Sequence, residues 1–289
     1  MKRILITGTN SYIGDSVKQW LNKWPDLYAV DTINMIGDGW RQADFSVYDC
    51  VYHVAGIAHR NDAPDELYEK VNHLLAAEVA QKAADSGVKQ FIFMSSGAVY
   101  SQNDKKHRYI QVEEMSVLEP STPYGISKMN AERDICRIAQ KSGMKAAILR
   151  PPMVYGNGAK GNYNSLARIA VKSPLFPKVN NQRSMIYIDN LCEFVRLAAD
   201  HECEGIFLPQ NREYVSTTEL VQLIARIHGR KIFCTGIFNW SIHIMGCLSD
   251  KVNKAFGSYI YLKKDGKDYF DGAYQVVDFE TSVRRSEGV

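Results

Sequence analysis

The chain has 289 residues, of which 45% are hydrophobic and 23% charged, with a formal net charge of +3. That length suits one large α/β domain or two smaller ones, and the composition excludes a disordered chain. Its 35 basic and 32 acidic residues form no dense basic block, so no nucleic-acid partner is expected. Six cysteines, Cys50, Cys136, Cys192, Cys203, Cys234 and Cys247, make no C-x-x-C pair and read as free thiols in a reducing compartment. His53 and His59 lack a matching second pair of ligands, so no metal site is expected.

The opening MKRILITG has an apolar run too short for a signal-peptide core. The stretch Ile232 to Leu248 is broken by Asn239, Ser241 and His243 and falls short of a spanning helix. A cytoplasmic protein without an integral membrane segment is the expectation.

Lys2 to Thr7 reads as a short buried strand ended by Gly8. Ile13, Val17, Trp20, Leu21 and Trp24 then repeat with the period of an amphipathic helix, which Pro25 stops. A second strand covers Leu27 to Val30 and ends on Asp31; the crossover that follows, 32–48, has no helical stripe. Cys50 to Val54 is a third strand, and Pro64 to Ser86 one long helix closed by Gly87. Gln90 to Ser95, the helix Tyr124 to Lys141, and Lys145 to Leu149 complete the series. Nearly uniform apolar strands alternating with helices predict a parallel sheet covered on both faces, with binding residues just after the strands. Beyond Arg150 shorter elements form a smaller lobe. The expected fold is α/β, a Rossmann-type doubly wound parallel sheet over 1–155, with a substrate lobe over 156–289 partly interleaved with the sheet.

The first strand runs into Thr7-Gly8-Thr9-Asn10-Ser11-Tyr12-Ile13-Gly14 and a helix. Such a loop lets backbone approach a pyrophosphate at the helix N-terminus, although glycines also end strands for structural reasons alone. Asp31 stands where a carboxylate bonds an adenosine ribose and repels a 2′-phosphate, which favours NAD over NADP. An exposed strand-end aspartate is its plain alternative. Tyr124 and Lys128 lie four apart on one helix face, so the ammonium can favour the phenolate of a tyrosine base. Ser95-Ser96-Gly97-Ala98-Val99-Tyr100 puts hydroxyls at the same strand edge.

Taken together, TGTNSYIG, HVAG at His53–Gly56, SSGAVY at Ser95–Tyr100, YGISK at Tyr124–Lys128 and RPPMVYG at Arg150–Gly156 resemble the extended short-chain dehydrogenase/reductases. Within them the set is similar to the UDP-galactose 4-epimerase-like proteins and the 4-keto-sugar reductases of bacterial polysaccharide pathways. The resemblance implies that Gly8, Asn10, Ser11, Tyr12, Ile13 and Gly14 cradle the pyrophosphate of NAD and that Asp31 holds the ribose. It puts Asp44 and Phe45 at the adenine edge, with Val54, Ala55, Gly56, Asn72 and Pro151 along the cofactor. Ser96 would bond the substrate oxygen, Tyr124 would be the acid/base, and Lys128 would bind the nicotinamide ribose and lower the tyrosine pKa. Asn162 and Arg183 resemble the positions that hold the nucleotide diphosphate, an ion pair of Arg183 with Asp189 being the alternative. The family also implies that a homodimer can form through two helices per subunit; packing of their apolar faces on the sheet is the other reading of those faces.

Two departures stand out. Ser11 replaces the middle glycine of TGxxGxxG, which should restrict the loop slightly. Gly97 and Ala98 stand where the family's dehydratases carry an Asp-Glu pair, so dehydration is not expected. The leading expectation is C4 epimerisation of a UDP-sugar through a transient 4-keto sugar. Reduction of a UDP-4-keto-6-deoxy sugar by NADH or NADPH uses the same residues once, and Met153, where epimerases place a polar sugar contact, leaves room for it. A non-catalytic dinucleotide sensor would tolerate loss of Ser96, Tyr124 or Lys128, and all three are present.

Overall fold

The computed structural model describes residues 1–58, 63–100, 109–237, 239, 250–263 and 268–289. His59, Cys247 and most of the apolar stretch 232–248 lie outside them. Two compact units result, one of Met1–Tyr100, Val117–Pro151 and Leu191–Pro209, the other of Ser101–Ser116, Pro152–Asn190 and Gln210–Val289.

The first unit holds β1 (Lys2–Thr7), β2 (Tyr28–Ile33), β3 (Cys50–His53) and β4 (Gln90–Met94). The second contributes β5 (Tyr109–Val112), the first β6 (Lys145–Leu149), and the second β7 (Met153–Tyr155), β8 (Leu175–Pro177) and β9 (Met185–Tyr187). Along the chain β10 (Gly205–Phe207) then returns to the first unit, and β11 (Phe233–Thr235) and β12 (Ser258–Tyr261) belong to the second. Six strands make one parallel sheet in the spatial order β2-β1-β3-β4-β6-β10. Strand β1 is flanked by β2 and β3, so the direction of winding reverses beside it. The crevice for a ligand in such a sheet lies at the carboxyl ends of those strands. β2 runs two residues beyond Asp31, whose partner in register is Leu5.

Alternation along the strands divides the core. Leu5, Val51, Phe91, Phe93 and Ile148 share a cluster with Trp40, Phe45, the alanines Ala76, Ala80 and Ala83, and Ala131 and Ile135. The alanines belong to α3 (Leu75–Asp85), and Ala131 and Ile135 to α4 (Pro123–Ser142). The apolar faces of these two helices are thus packed in the core with the sheet strands. On the other sheet face lie Ile4, Ile6, Tyr52 and Ile92. There α1 (Tyr12–Leu21) contacts β1 and β2 and buries Val17 and Leu21. Gln90 donates to the carbonyl of Ala198 at 2.8 Å, which fixes α6 (Ile188–Asp200) to the edge of β4.

The long helix expected over 64–86 is interrupted. A short α2 (Asp65–Tyr68) passes into a π-turn over Glu69–Leu74 before α3 begins. Apolar spacing does not reveal the extra residue, because Tyr68, Leu74 and Leu75 read as helical on either side of it.

Four buried groups tie β4, α4 and β6 together. Arg150, just after β6, donates to Glu132 of α4 from Nε at 3.0 and 3.1 Å and from Nη2 at 2.6 Å. Its Nη1 donates to the Tyr100 hydroxyl at 2.6 Å, and Ser95 Oγ donates to Glu132 Oε1. Both charged side chains are almost wholly buried. Removing one member of such a pair leaves the other charge without compensation in a low dielectric.

The second unit is held by short strand pairs, β5 with β12, β7 with β9 and β8 with β11, each parallel. Two helices, α5 (Asn162–Lys172) and α7 (Thr217–Ile227), contact each other. Buried polar groups specify its interior: Asn211 donates to Tyr155 at 2.9 Å, Asn190 donates to Asn211 and Val277, and Tyr155 bonds Ser282 at 2.5 Å. No helix among the described residues is long and apolar enough to cross a membrane.

Glu132→Gln should destabilise the protein by about 3 kcal/mol, because the Arg150 guanidinium stays buried without its counter-charge. Urea unfolding checks this, and an unchanged midpoint would show that the pair adds nothing to stability.

Candidate active site

The loop between β1 and α1 begins with Gly8 at φ +101, a conformation that side chains rarely adopt. A Cβ there would meet Ala55 Cα and Cβ at 3.1 Å, so the two strand ends approach as closely as backbone permits. Asn10 follows at φ +58, a region where asparagine is among the tolerated residues. Ser11 does not restrict the loop as expected. Its φ is −98 and ψ 121, ordinary extended backbone, and its Oγ accepts from Gly14 N at 3.3 Å as the cap of α1. The glycine of the usual pattern has been exchanged for a capping residue. Tyr12, Ile13 and Gly14 form the first turn at this end.

Asp31 is exposed on β2, and Tyr48 donates to its Oδ2 at 3.0 Å, with Arg3 at 3.9 Å. Phe45 is fully buried in the core cluster. Asp44 is exposed and accepts from the Ser46 amide and hydroxyl at 2.8 and 2.6 Å, bonds that hold its carboxyl below its ordinary pKa. At this position, then, the side chain of Phe45 packs the core, and Asp44 presents its carboxylate to solvent.

After β3 the chain passes through Val54, Ala55 and Gly56 to Ile57. Asn72, buried in the π-turn, accepts from Ile57 N at 2.8 Å and donates to Ile57 O at 3.0 Å. The same amide donates to Ser127 Oγ at 3.3 Å, and Ser127 donates to the Tyr124 carbonyl at 2.9 Å. A Cβ on Gly56 would meet Asn72 Oδ1 at 2.9 Å and Lys128 Nζ at 3.5 Å. Asn72 therefore fastens the β3 loop to the turn of α4 that carries the tyrosine and the lysine.

Helix α4 starts at a Thr122 cap, with Pro123 in its first position. Gly125 allows its approach, since a Cβ there would stand 2.3 Å from the Ala98 carbonyl oxygen. That contact brings Tyr124 to the short turn Gly97–Val99 after β4, where Gly97 N donates to the Pro151 carbonyl at 2.9 Å. Burial pushes the Tyr124 phenol above its ordinary pKa, a hydrogen bond with Ser96 pulls it down, and the nearby Tyr68 phenol pushes it up. The Tyr68 ring packs edge-on against it at 6.3 Å.

Lys128 donates to the Met94 carbonyl at 2.8 Å and lies 4.7 Å from the centre of the Phe93 ring. Burial lowers its pKa to about 8, while the Glu132 charge one turn along the helix pushes it up. The expected lowering of the tyrosine pKa by this lysine is not among the influences on the phenol, of which burial is the largest. Beneath the site, His53 is wholly buried between Phe91 and Phe93, with Nδ1 2.7 Å from Thr7 Oγ1. Burial and the Lys128 charge hold its pKa at about 3, so the imidazole is neutral.

Ser96, Tyr124 and Lys128 thus converge in the first unit with the loops after β1, β3 and β4. Sequence reasoning missed Glu132, Ser95 and Gly125. The spacing of Lys128 and Glu132, four apart on one helix face, was the available signal for the first of them.

In the second unit, Asn162 opens α5 and is exposed. Arg183 donates to the Gly257 carbonyl at 2.8 Å, and burial lowers its pKa to about 10. The alternative pairing with Asp189 does not form, because Asp189 pairs with Arg285 at 3.2 Å. Among the described residues no carboxylate pairs with Arg183.

The profile of the NAD dependent epimerase/dehydratase family matches residues 4–207. The chain is 30% identical over 284 residues to the UDP-glucose 4-epimerase of Vibrio cholerae, covering 89% of this chain and 86% of that protein. Over 152 residues it is 35% identical to the N-acetyl-alpha-D-glucosaminyl-diphospho-ditrans,octacis-undecaprenol 4-epimerase of Escherichia coli O157:H7, with 51% of this chain and 44% of that protein covered. The crystal structure of UDP-glucuronic acid 4-epimerase from Bacillus cereus in complex with NAD shares the fold, with a TM-score of 0.74 at 16% identity over 99% of this chain and 97% of that one. The chain belongs to the NAD dependent epimerase/dehydratase family, as a sugar-nucleotide epimerase or reductase of the extended short-chain dehydrogenase type.

Proposed function

We propose that this protein is a C4 epimerase of a UDP-sugar that keeps NAD bound through its cycle. The observation that carries the reading is the meeting of the Ser96 turn with the first turn of α4, where Gly125 lies against the Ala98 carbonyl and Lys128 stands one turn beyond Tyr124 and beside Gly56. The residues fit the cofactor: Gly8 leaves a cradle that a Cβ would fill, and Asp31 presents an exposed carboxylate where a 2′-phosphate would be repelled. Bound NAD supplies a hydride acceptor that can later return the hydride. Tyr124 takes the proton of the C4 hydroxyl and Ser96 orients that oxygen by hydrogen bonding. Lys128 holds the nicotinamide ribose, and Tyr124 returns the proton when the sugar is reduced on its other face. Gly97 and Ala98 offer no acid for eliminating water.

Arg183 supports a diphosphate ligand, because a desolvated guanidinium without a carboxylate partner among the described residues is suited to phosphate oxygens. Asn162 joins it in this reading. A homodimer and a cytoplasmic setting belong to the same proposal.

Incubation with UDP-glucose or UDP-N-acetylglucosamine and no added dinucleotide should yield the C4 epimer, read by chromatography. Absence of product, with oxidation of NADH on a UDP-4-keto-6-deoxy sugar, would replace epimerisation by reduction. Tyr124→Phe should lower turnover by roughly a hundredfold or more while leaving the fold unchanged. Retained turnover would remove Tyr124 from the chemistry.

The lysine provides a pH test. Its charged form, which donates to the ribose, dominates below about 8 and is lost as pH rises through that value. NAD affinity measured by calorimetry on stripped protein should therefore be flat below that pH and fall above it. Lys128→Met should bind more weakly and show no such fall. An equal fall in that variant would assign the titration to another group.

A further inference from the structure

The pair β8–β11 in the second unit has one face turned outward. Leu175 stands opposite Phe233, Phe176 opposite Cys234 and Pro177 opposite Thr235. Residues opposite one another share a sheet face, and neighbours along a strand alternate. Phe176 is buried, its ring 5.9 Å from that of Phe256. Leu175 and Phe233 therefore lie side by side on the other face, 48% and 65% exposed. Ile237, two residues past β11, is 73% exposed. Single exposed apolar residues are ordinary, but a registered pair extended by a third points to a contact surface.

On the two segments that carry this pair the charge is of one sign. No Asp or Glu occurs between Lys160 and Ile188, or between Leu220 and Ile237, in a chain whose net charge is only +3. Lys172 and Lys178 lie three residues to either side of Leu175, and Arg230 and Lys231 lie within three of Phe233. All four are exposed. Of the acids at α7, Glu219 is engaged in its capping box with Ser216, and Glu287 by His228 at 2.7 Å and by Tyr163 at 2.8 Å.

We propose that this face of the second unit docks on a bilayer containing anionic phospholipid. Leu175, Phe233 and Ile237 would enter the boundary between headgroups and acyl chains, and Lys172, Lys178, Arg230 and Lys231 would meet lipid phosphates. An apolar tip flanked by long flexible cations suits a fluid anionic surface, which demands no fixed partner geometry. The attachment is peripheral and holds whichever reaction the first unit supports.

Vesicle flotation with the whole protein tests it. The protein should float with vesicles containing about a third phosphatidylglycerol, stay behind with pure phosphatidylcholine, and be released by salt. Each cation near such a surface adds roughly fivefold to partitioning, so Lys172→Glu with Lys231→Glu should lower it at least tenfold. Leu175→Ser with Phe233→Ser should lower it as well. Both pairs are surface changes, and an unchanged thermal midpoint shows that the fold persists; should one pair unfold, the other carries the test. Failure to float with anionic vesicles, or flotation undiminished in a folded double variant, would overturn the proposal. So would a dimer in solution that Phe233→Ser dissolves, which would give this face to a second copy of the chain.

Discussion

The placement of the active groups depends on one buried ion pair. Glu132 and Arg150 lie on different elements, α4 and the end of β6, and each has little exposure to water. Ser95 and Tyr100, from the segment after β4, complete the polar shell. An isolated charge in that interior would be costly, so the pair, once formed, admits few alternative positions for the three elements. Tyr124 and Lys128 are carried on the same helix two turns and one turn before Glu132. Their position relative to Ser96 is thereby set from below, by a contact that touches neither of them.

A second constraint comes from above. Gly125 lets α4 lie against the Ala98 carbonyl, and Asn72 binds both the amide and the carbonyl of Ile57 as a neighbouring strand would. Between them, the loops after β3 and β4 are held to the first turns of α4. In the proposed reaction, rigid support of this kind would let Tyr124 meet a substrate hydroxyl without reorganisation. The neutral His53 below Lys128 adds packing without adding a competing positive charge.

Much of this architecture is legible in the residues themselves. Strands β1, β3, β4 and β6 are nearly continuous apolar runs, and they appear within a residue or so of their expected bounds. Helix-face spacing pairs Tyr124 with Lys128, and the resemblance to the extended short-chain dehydrogenase/reductases adds Ser96. Other features are silent. Strands β7, β8 and β11 have three residues each, too few for alternation to be distinguished from chance. Ser11 looks like a lost glycine until its capping bond is seen, and Asp189 stands as an alternative partner for Arg183 until Arg285 takes that place. Such assignments turn on which of several long side chains arrives first, a matter of tertiary packing.

The π-turn at Glu69–Leu74 carries a different kind of information. It is one residue longer than the helix around it would require, and that residue lets Asn72 face the β3 loop while Ala76, Val79, Ala80 and Ala83 face the core. Each residue of an α-helix turns the chain by about 100°. Shortening the segment by one would rotate one of these two faces out of place. Chain length between Tyr68 and Leu75 therefore matters more to the placing of the β3 loop than the identity of the exposed residues in that interval.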